Sequence, residues 1–407
     1  MSKGKVAVAL SGGVDSSVAA LLLQRDGYEV WGVHMRLSDS LRSQAQAHHA
    51  EQVCHTLDIP FQIMDLRKVF GRYVIDYFCQ EYQHGWTPNP CIACNQHIKF
   101  GALLNKVLSQ GIDYIATGHY ARISQSHGPE LKLRAQRGGS EITEDFAKDN
   151  LQPLKQVQGK YHLLKGVDVS KDQSYFLCTL SQEKLSHILF PLGSYSKDEV
   201  QKIAKQEDLP VASKSSQDIC FISEKNYRAF LRERLSQRPG DIVDVQGKLL
   251  GHHQGIAFYT IGQRHGLGLA FGKPLYVLRI EPDNDKIILG EESELYSQEA
   301  IVKNLSWVCG MAPSVPCQIR GGVDEGLLPP PTSVNAKIRY KSREAAATLL
   351  TKSDSVVVLF SQPQWAVTPG QAIVFYKGEE VLGGGIIESS KPIIKVRREI
   401  EVTATKS

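Results

Sequence analysis

From Lys5 to about Pro210 the chain alternates short apolar runs with longer stretches whose apolar residues recur at helical spacing. VAVAL at 6–10 precedes VAALLLQRDG, VWGVHM at 30–35 precedes AQAHHAEQVCHTLDI, and PFQIMDL at 60–66 precedes VFGRYVIDYFCQEY; IKFGALLNKVLSQG then leads to IDYIATGHYA. Strands alternating with helices predict an α/β domain, a parallel sheet covered on both faces. Ligands of such sheets bind beyond the carboxyl ends of the strands. Three segments of small and polar residues fall at those ends: SGGVDSS (11–17), HMRLS (34–38) and TGHYA (117–121).

Residues 124–160 are polar and lack periodicity, which reads as a surface insertion or an extended hairpin. Order returns at KYHLLKGVDVSKDQSYFLCTL and continues through SYSKDEVQKIAKQEDLP, where Ser196 and Glu199 suit a capping box. A short helix, YRAFLRERL, and brief strands follow. From about Leu275 the chain becomes strands with frequent turns, the pattern of a small antiparallel barrel or sandwich. Three domains are expected, at 1–212, 213–280 and 281–407.

Composition narrows the class. With 407 residues, 42% hydrophobic and 22% charged, the chain is an ordinary multidomain globular protein. No apolar run reaches the roughly 18 residues that cross a bilayer, and MSKGK runs directly into the first strand, so a cytoplasmic protein without membrane partners is expected. The net charge of +4 is compatible with nucleic acid. Eight cysteines in such a chain are reduced by default, and exceptions need a local reason.

SGGVDSS supplies one chemistry. Its glycines let the backbone approach a phosphate, and the helix starting near Val14 adds free N–H groups and a positive dipole end. No Gly-Lys-Ser/Thr follows, so this is not a Walker loop, nor is it the dinucleotide pattern G-x-G-x-x-G. Asp15 beside an anion site would repel its ligand unless a cation intervenes, which makes Mg2+ between Asp15 and a pyrophosphate the economical reading. TPNPCIACNQHIKF supplies another. Cys91 and Cys94 stand C-x-x-C near a helix start, where thiolates are favoured. A redox or sulfur-transfer pair, ligation of a metal or iron–sulfur cluster, and two small residues in a loop all remain open for this motif. KIRYKSR at 337–343, if a strand, would put Lys337, Arg339, Lys341 and Arg343 on one face as a basic stripe, with Tyr340 on the other.

SGGVDSS resembles the signature of the PP-loop ATP pyrophosphatases. Together ALSGGVDSS, TPNPCIACNQHIKF, ATGHYAR, KDQSYFL, SQDICFI, FYTIGQRHGLG, KIRYKS and PGQAIVFY closely resemble the bacterial tRNA-specific 2-thiouridylases, the MnmA or TrmU family, from the first strand to about Glu388. The resemblance implies an adenine nucleotide alpha hydrolase-like N-terminal domain, a small central domain carrying the second cysteine, and a C-terminal antiparallel β-barrel that grips tRNA. It implies ATP-dependent 2-thiolation of the wobble uridine of tRNAs for lysine, glutamate and glutamine, with release of AMP and pyrophosphate. Leu10, Ser11, Gly12, Gly13, Val14, Asp15, Ser16 and Ser17 would then hold ATP, with Met35 and Gly118 on the adenosine. Cys220 would carry sulfur as a persulfide, drawn from a cysteine desulfurase or another persulfide donor, and Cys94 would be its partner thiol. Asn89, Pro90 and Cys91 would meet the target base, and His119, Lys171, Asp172, Gln173, Arg339, Tyr340 and Gln371 would contact tRNA. Many family members carry an acidic residue where this chain has Cys91. A 4Fe-4S cluster held by Cys91, Cys94 and Cys220 is therefore an alternative route for sulfur, and another PP-loop ligase or amidotransferase is the alternative activity.

Overall fold

The computed structural model describes residues 2–126, 160–210, 219–222, 226–236, 238–269, 272–308, 331–352 and 354–392. The first apolar run forms β1 (Lys5–Ala9), followed by α1 (Val14–Arg25), β2 (Glu29–Arg36), α2 (Leu41–Thr56) and β3 (Phe61–Asp65). Two composite helices come next. One runs through Arg67–Phe70, a π-helical stretch Gly71–Asp76, and Tyr77–Gln83. The other, the thiol helix, runs through Pro90–Ala93, a π-helical stretch Cys94–Leu103, and Leu104–Ser109.

Then come β4 (Tyr114–Ala116), β5 (Ala121–Ser126), β6 (Lys160–Lys165), β7 (Ile188–Leu189) and the Lys197 helix (Lys197–Gln206). The first sheet has the order β3-β2-β1-β4-β7, all parallel. β1 lies at its centre, with Val6 and Val8 in one core and Ala7 and Ala9 in the other. A strand buried on both faces needs the continuous apolar run that VAVAL provides. SGGVDSS and TGHYA follow the ends of β1 and β4 and HMRLS spans the end of β2; the three strands are adjacent, so the segments meet at one edge of the sheet.

The polar segment 124–160 is a hairpin at its base, where β5 and β6 pair from Ala121↔Lys165 to Ser126↔Lys160; residues 127–159 lie outside the described residues. A central sheet is built from β8 (Gly240–Asp244), β9 (Leu249–His253), β10 (Tyr276–Glu281) and β11 (Lys286–Gly290), ordered β10-β11-β8-β9. The C-terminal strands β12 (Tyr296–Trp307), β13 (Thr332–Lys337), β14 (Ala345–Thr351), β15 (Val356–Trp365), β16 (Ala372–Lys377) and β17 (Glu380–Pro392) form an antiparallel barrel, closed by the pairing of β12 with β17. Closure leaves no free edge among these strands. β17 also pairs with β6 at Glu380↔Leu164, which ties the barrel to the first domain. Among the described residues no helix is long and apolar enough to cross a membrane.

Candidate active site

Leu10–Gly13 connect β1 to α1. Gly12 has φ +72°, and a Cβ there would lie 2.7 Å from His49 Cβ and 2.9 Å from the Gln46 carbonyl oxygen, so the loop can lie against α2 only with glycine. Gly13 caps α1 with no side chain. Ser16 and Ser17 turn their hydroxyls back onto the Gly13 carbonyl at 3.1 and 3.0 Å, and Ser16 Oγ accepts from the Ser11 N–H at 3.2 Å. The serines brace the loop, while the helix start stays open to an anion. Gly118, after β4, closes on the same place: a Cβ there would lie 2.9 Å from the Asp15 carbonyl carbon and the Ser16 nitrogen. Half-buried Met35 stands at the end of β2.

Asp15 is held from two sides. Its Oδ1 accepts from the Tyr120 hydroxyl at 2.7 Å and from Lys197 Nζ at 2.6 Å. Lys197 is the first residue of its helix, behind the capping box of Ser196 and Glu199, and its N–H donates to Asp168 Oδ2 at 3.0 Å. The cation that the sequence demanded beside Asp15 is thus provided in part by the protein. Asp15 Oδ2 has no protein partner among the described residues, and one carboxylate oxygen with substrate phosphates is an ordinary Mg2+ set. Mg2+ therefore fits at Oδ2.

The thiol helix starts where the prolines put it. Asn89 Oδ1 accepts from the Ile92 N–H at 3.3 Å and Pro90 fills the first helical position. Cys91 is exposed and Cys94 buried. Asn95 is 1% exposed and donates to the Phe176 carbonyl at 2.9 Å, which fixes the helix against the KDQSYF segment. Cys220 is exposed, but its neighbour Phe221 packs against Phe70 and Phe78 of the first domain and Phe230 of the next, at 5.7, 5.4 and 5.2 Å between ring centres. Those rings seat Cys220 beside the other two thiols.

The three thiols act on one another electrostatically, and all three feel the Lys99 ammonium. Burial pushes each of them up, Cys94 to about 12, and Lys99 opposes it. The helix start lies where expected, yet desolvation outweighs any gain from it. Lys99 reaches the thiols through the π register. In an α-helix a residue five positions on is turned about 140° away, whereas bonding from i to i+5 brings Lys99 round toward the face of Cys94. On its far side Lys99 Nζ meets His119 Nε2 at 3.4 Å, and His119 Nδ1 meets Thr117 Oγ1 at 2.6 Å. An ammonium only donates, so Nε2 accepts and the ring proton sits on Nδ1. Burial and Lys99 hold His119 well below its usual range and keep it neutral.

Among the described residues no three His, Cys, Asp or Glu side chains converge closely enough to hold a metal ion. That absence lends no support to the 4Fe-4S alternative, and no step is routed through a cluster. Sequence reasoning missed Tyr120, Lys197 and Lys99. The capping box was the available signal for Lys197; Lys99 had none, because a spacing of five reads as the wrong face of an α-helix.

Family models match three successive stretches of the chain. A model described as "tRNA methyl transferase HUP domain" matches residues 4–224, "tRNA methyl transferase PRC-barrel domain" matches 228–291, and "Aminomethyltransferase beta-barrel domain" matches 297–387. The tRNA-specific 2-thiouridylase MnmA of Carboxydothermus hydrogenoformans is 43% identical over 95% of this chain and 98% of its own length. The protein of the same name from Acetivibrio thermocellus is 42% identical over 95% of this chain and 100% of its own. The chain belongs to the tRNA-specific 2-thiouridylase family. A solved structure, the U34-tRNA thiolase NcsA of Methanococcus maripaludis, aligns over 57% of this chain and 64% of its own at 18% identity with a TM-score of 0.32, too distant to carry an argument.

For a 2-thiouridylase the RNA-facing residues matter next, and most of those named from sequence are committed to the protein. His119 is buried. Asp172 accepts from the N–H groups of Gly166 and Ser174 and from the Ser174 hydroxyl. Gln173 exchanges hydrogen bonds with the Tyr120 backbone, its N–H donating at 2.9 Å and its Oε1 accepting at 3.0 Å. Gln371 donates to the Thr87 carbonyl at 2.8 Å. The basic stripe does not form. β13 stops at Lys337, Ile338 is buried, and the Ser342 N–H folds back to the Arg339 carbonyl at 3.1 Å. Arg339 turns inward, donating to the carbonyls of Trp365 and Ala366 at 2.7 and 2.8 Å, and Tyr340 packs on Phe176 at 4.5 Å between ring centres. Lys341 and Arg343 are exposed and Lys171 is half-buried.

Proposed function

We propose that this chain catalyses ATP-dependent 2-thiolation of the wobble uridine of tRNA. One observation carries the reading: the segment Thr117–Tyr120 touches the phosphate loop through Gly118 and Tyr120 and the thiol helix through His119 and Lys99. Nucleotide and sulfur chemistry therefore share one site.

The loop Leu10–Ser17 holds ATP, with Met35 and Gly118 at the adenosine and Mg2+ at Asp15 Oδ2. The uridine 2-oxygen attacks the α-phosphate and pyrophosphate leaves, which converts a poor leaving group into AMP. The terminal sulfur of a Cys220 persulfide, loaded by a cysteine desulfurase or another persulfide donor, attacks C2 and displaces AMP. Cys94 thiolate then attacks the Cys220 sulfur; the bond between the two persulfide sulfurs breaks and its electron pair stays on the sulfur bound to C2. A Cys94–Cys220 disulfide remains, and a dithiol reductant returns it to two thiols. Asn89, Pro90 and Cys91 line the entry of the target base. Lys171, Lys341 and Arg343 meet tRNA phosphates on a rim shaped by Asp172, Gln173, Arg339, Tyr340 and Gln371.

Mass spectrometry of tRNA nucleosides from a strain lacking the gene tests the reading. Wobble 2-thiouridine is expected to vanish, to return with the wild-type gene, and to stay absent with Cys94→Ala or Cys220→Ser. Its persistence in the deleted strain overturns the assignment.

A further inference from the structure

The phosphate loop contains its own electrostatic obstacle, the Asp15 carboxylate, and the structure sets Lys197 against it. Lys197 Nζ lies 2.6 Å from Asp15 Oδ1, and its side chain is only 16% exposed. An ammonium carries three donors. Among the described residues one is used, on Asp15, so two remain on a mostly buried cation at the mouth of an anion-binding loop. A cation satisfied only in part is costly to bury, and a polyphosphate would supply the acceptors that it lacks. The surroundings hold Lys197 in place rather than compete for it. Asp168 takes its backbone N–H, and the Tyr120 hydroxyl shares Asp15 Oδ1 with it.

We propose that Lys197 is a phosphate-binding residue of the nucleotide site, its ammonium bridging Asp15 and the polyphosphate of ATP. The inference rests on the ATP-dependent reading above. Lys197 then neutralises the repulsion from Asp15 and the charge of the ligand at once, and Asp15 serves to aim the lysine.

Calorimetric binding of ATP and of adenosine, with EDTA present so that Mg2+ plays no part, separates this from a purely structural ion pair. Lys197→Met is expected to weaken ATP binding at least tenfold and leave adenosine within twofold of wild type, and Lys197→Arg to stay within threefold for both. Asp15→Asn loosens the aim of the lysine but also removes a repelling charge, so ATP binding is expected to fall by no more than threefold. A structural pair predicts equal effects of both single variants, because each removes the same contact. Equal weakening by Lys197→Met and Asp15→Asn, or unchanged ATP binding by Lys197→Met, overturns the proposal. Should Lys197→Met not fold, Lys197→Met/Asp15→Asn leaves no unpaired charge; it is expected to bind ATP at least tenfold more weakly than Asp15→Asn alone, and equal affinity overturns the proposal. Wild type that binds no ATP even with Mg2+ sinks the underlying reading instead, a result distinct from any variant pattern.

Discussion

The thiols show how far environment outweighs residue type. Cys94 is buried and pushed up to about 12, while Cys91 and Cys220, raised by the same desolvation, reach solvent. The thiolate is the nucleophile, and below its pKa the thiolate fraction grows about tenfold per pH unit. Thiolation limited by Cys94 is therefore expected to rise with pH through 9 without a plateau. At pH 8, mass-spectrometric mapping of alkylation is expected to find Cys91 and Cys220 labelled well before Cys94; the reverse order contradicts the placement. The candidate thiols were legible from their motifs. Their charge environment was not, because Lys99 belongs to it only through the π register and His119 looked like a surface ligand until its burial was known. Asp15 was legible as a charge needing a partner, but the partner stands 182 positions away, a distance no local pattern spans.

At the scale of elements the sequence was most informative where one strand or cap decides the outcome. VAVAL, the strand ends and the Ser196–Glu199 box all lie where their local physics puts them. Replacing Ser196 by Ala removes one side-chain acceptor and is expected to cost about 1 kcal/mol in denaturant unfolding. Gly12→Ala is harsher. A left-handed backbone costs a non-glycine residue roughly 1–2 kcal/mol, and the added methyl group meets His49 and Gln46. ATP binding by calorimetry is expected to fall at least tenfold in that variant, with the unfolding midpoint lowered. KIRYKSR illustrates the opposite case. Alternating charge and apolar residues read as a strand, but burying Ile338 and stacking Arg339 on Trp365 favours a turn.

The whole molecule is joined by contacts between residues far apart in sequence. The Thr87 N–H donates to the Pro369 carbonyl at 2.9 Å, Gln371 returns a bond to the Thr87 carbonyl at 2.8 Å, and Lys165 reaches Glu344 of the barrel at 2.6 Å. None of this docking is written in periodicity, and it decides what faces the RNA. With the stripe dissolved, tRNA affinity is expected to fall as salt rises. Lys341→Ala and Arg343→Ala are each expected to lower the slope of log affinity against log salt by about 1. Arg339→Ala is expected to act differently, lowering the melting temperature while leaving that slope unchanged.

Gly118 has no room for a single carbon against Asp15 and Ser16, and the next residue props the lysine that faces the thiols. Such a segment works as a rigid lever rather than a boundary between two sites. A displacement at the nucleotide end is therefore expected to reach the sulfur end one residue later. Cys94 alkylation measured with and without a non-hydrolysable ATP analogue is expected to differ in rate, and His119→Ala is expected to abolish that difference.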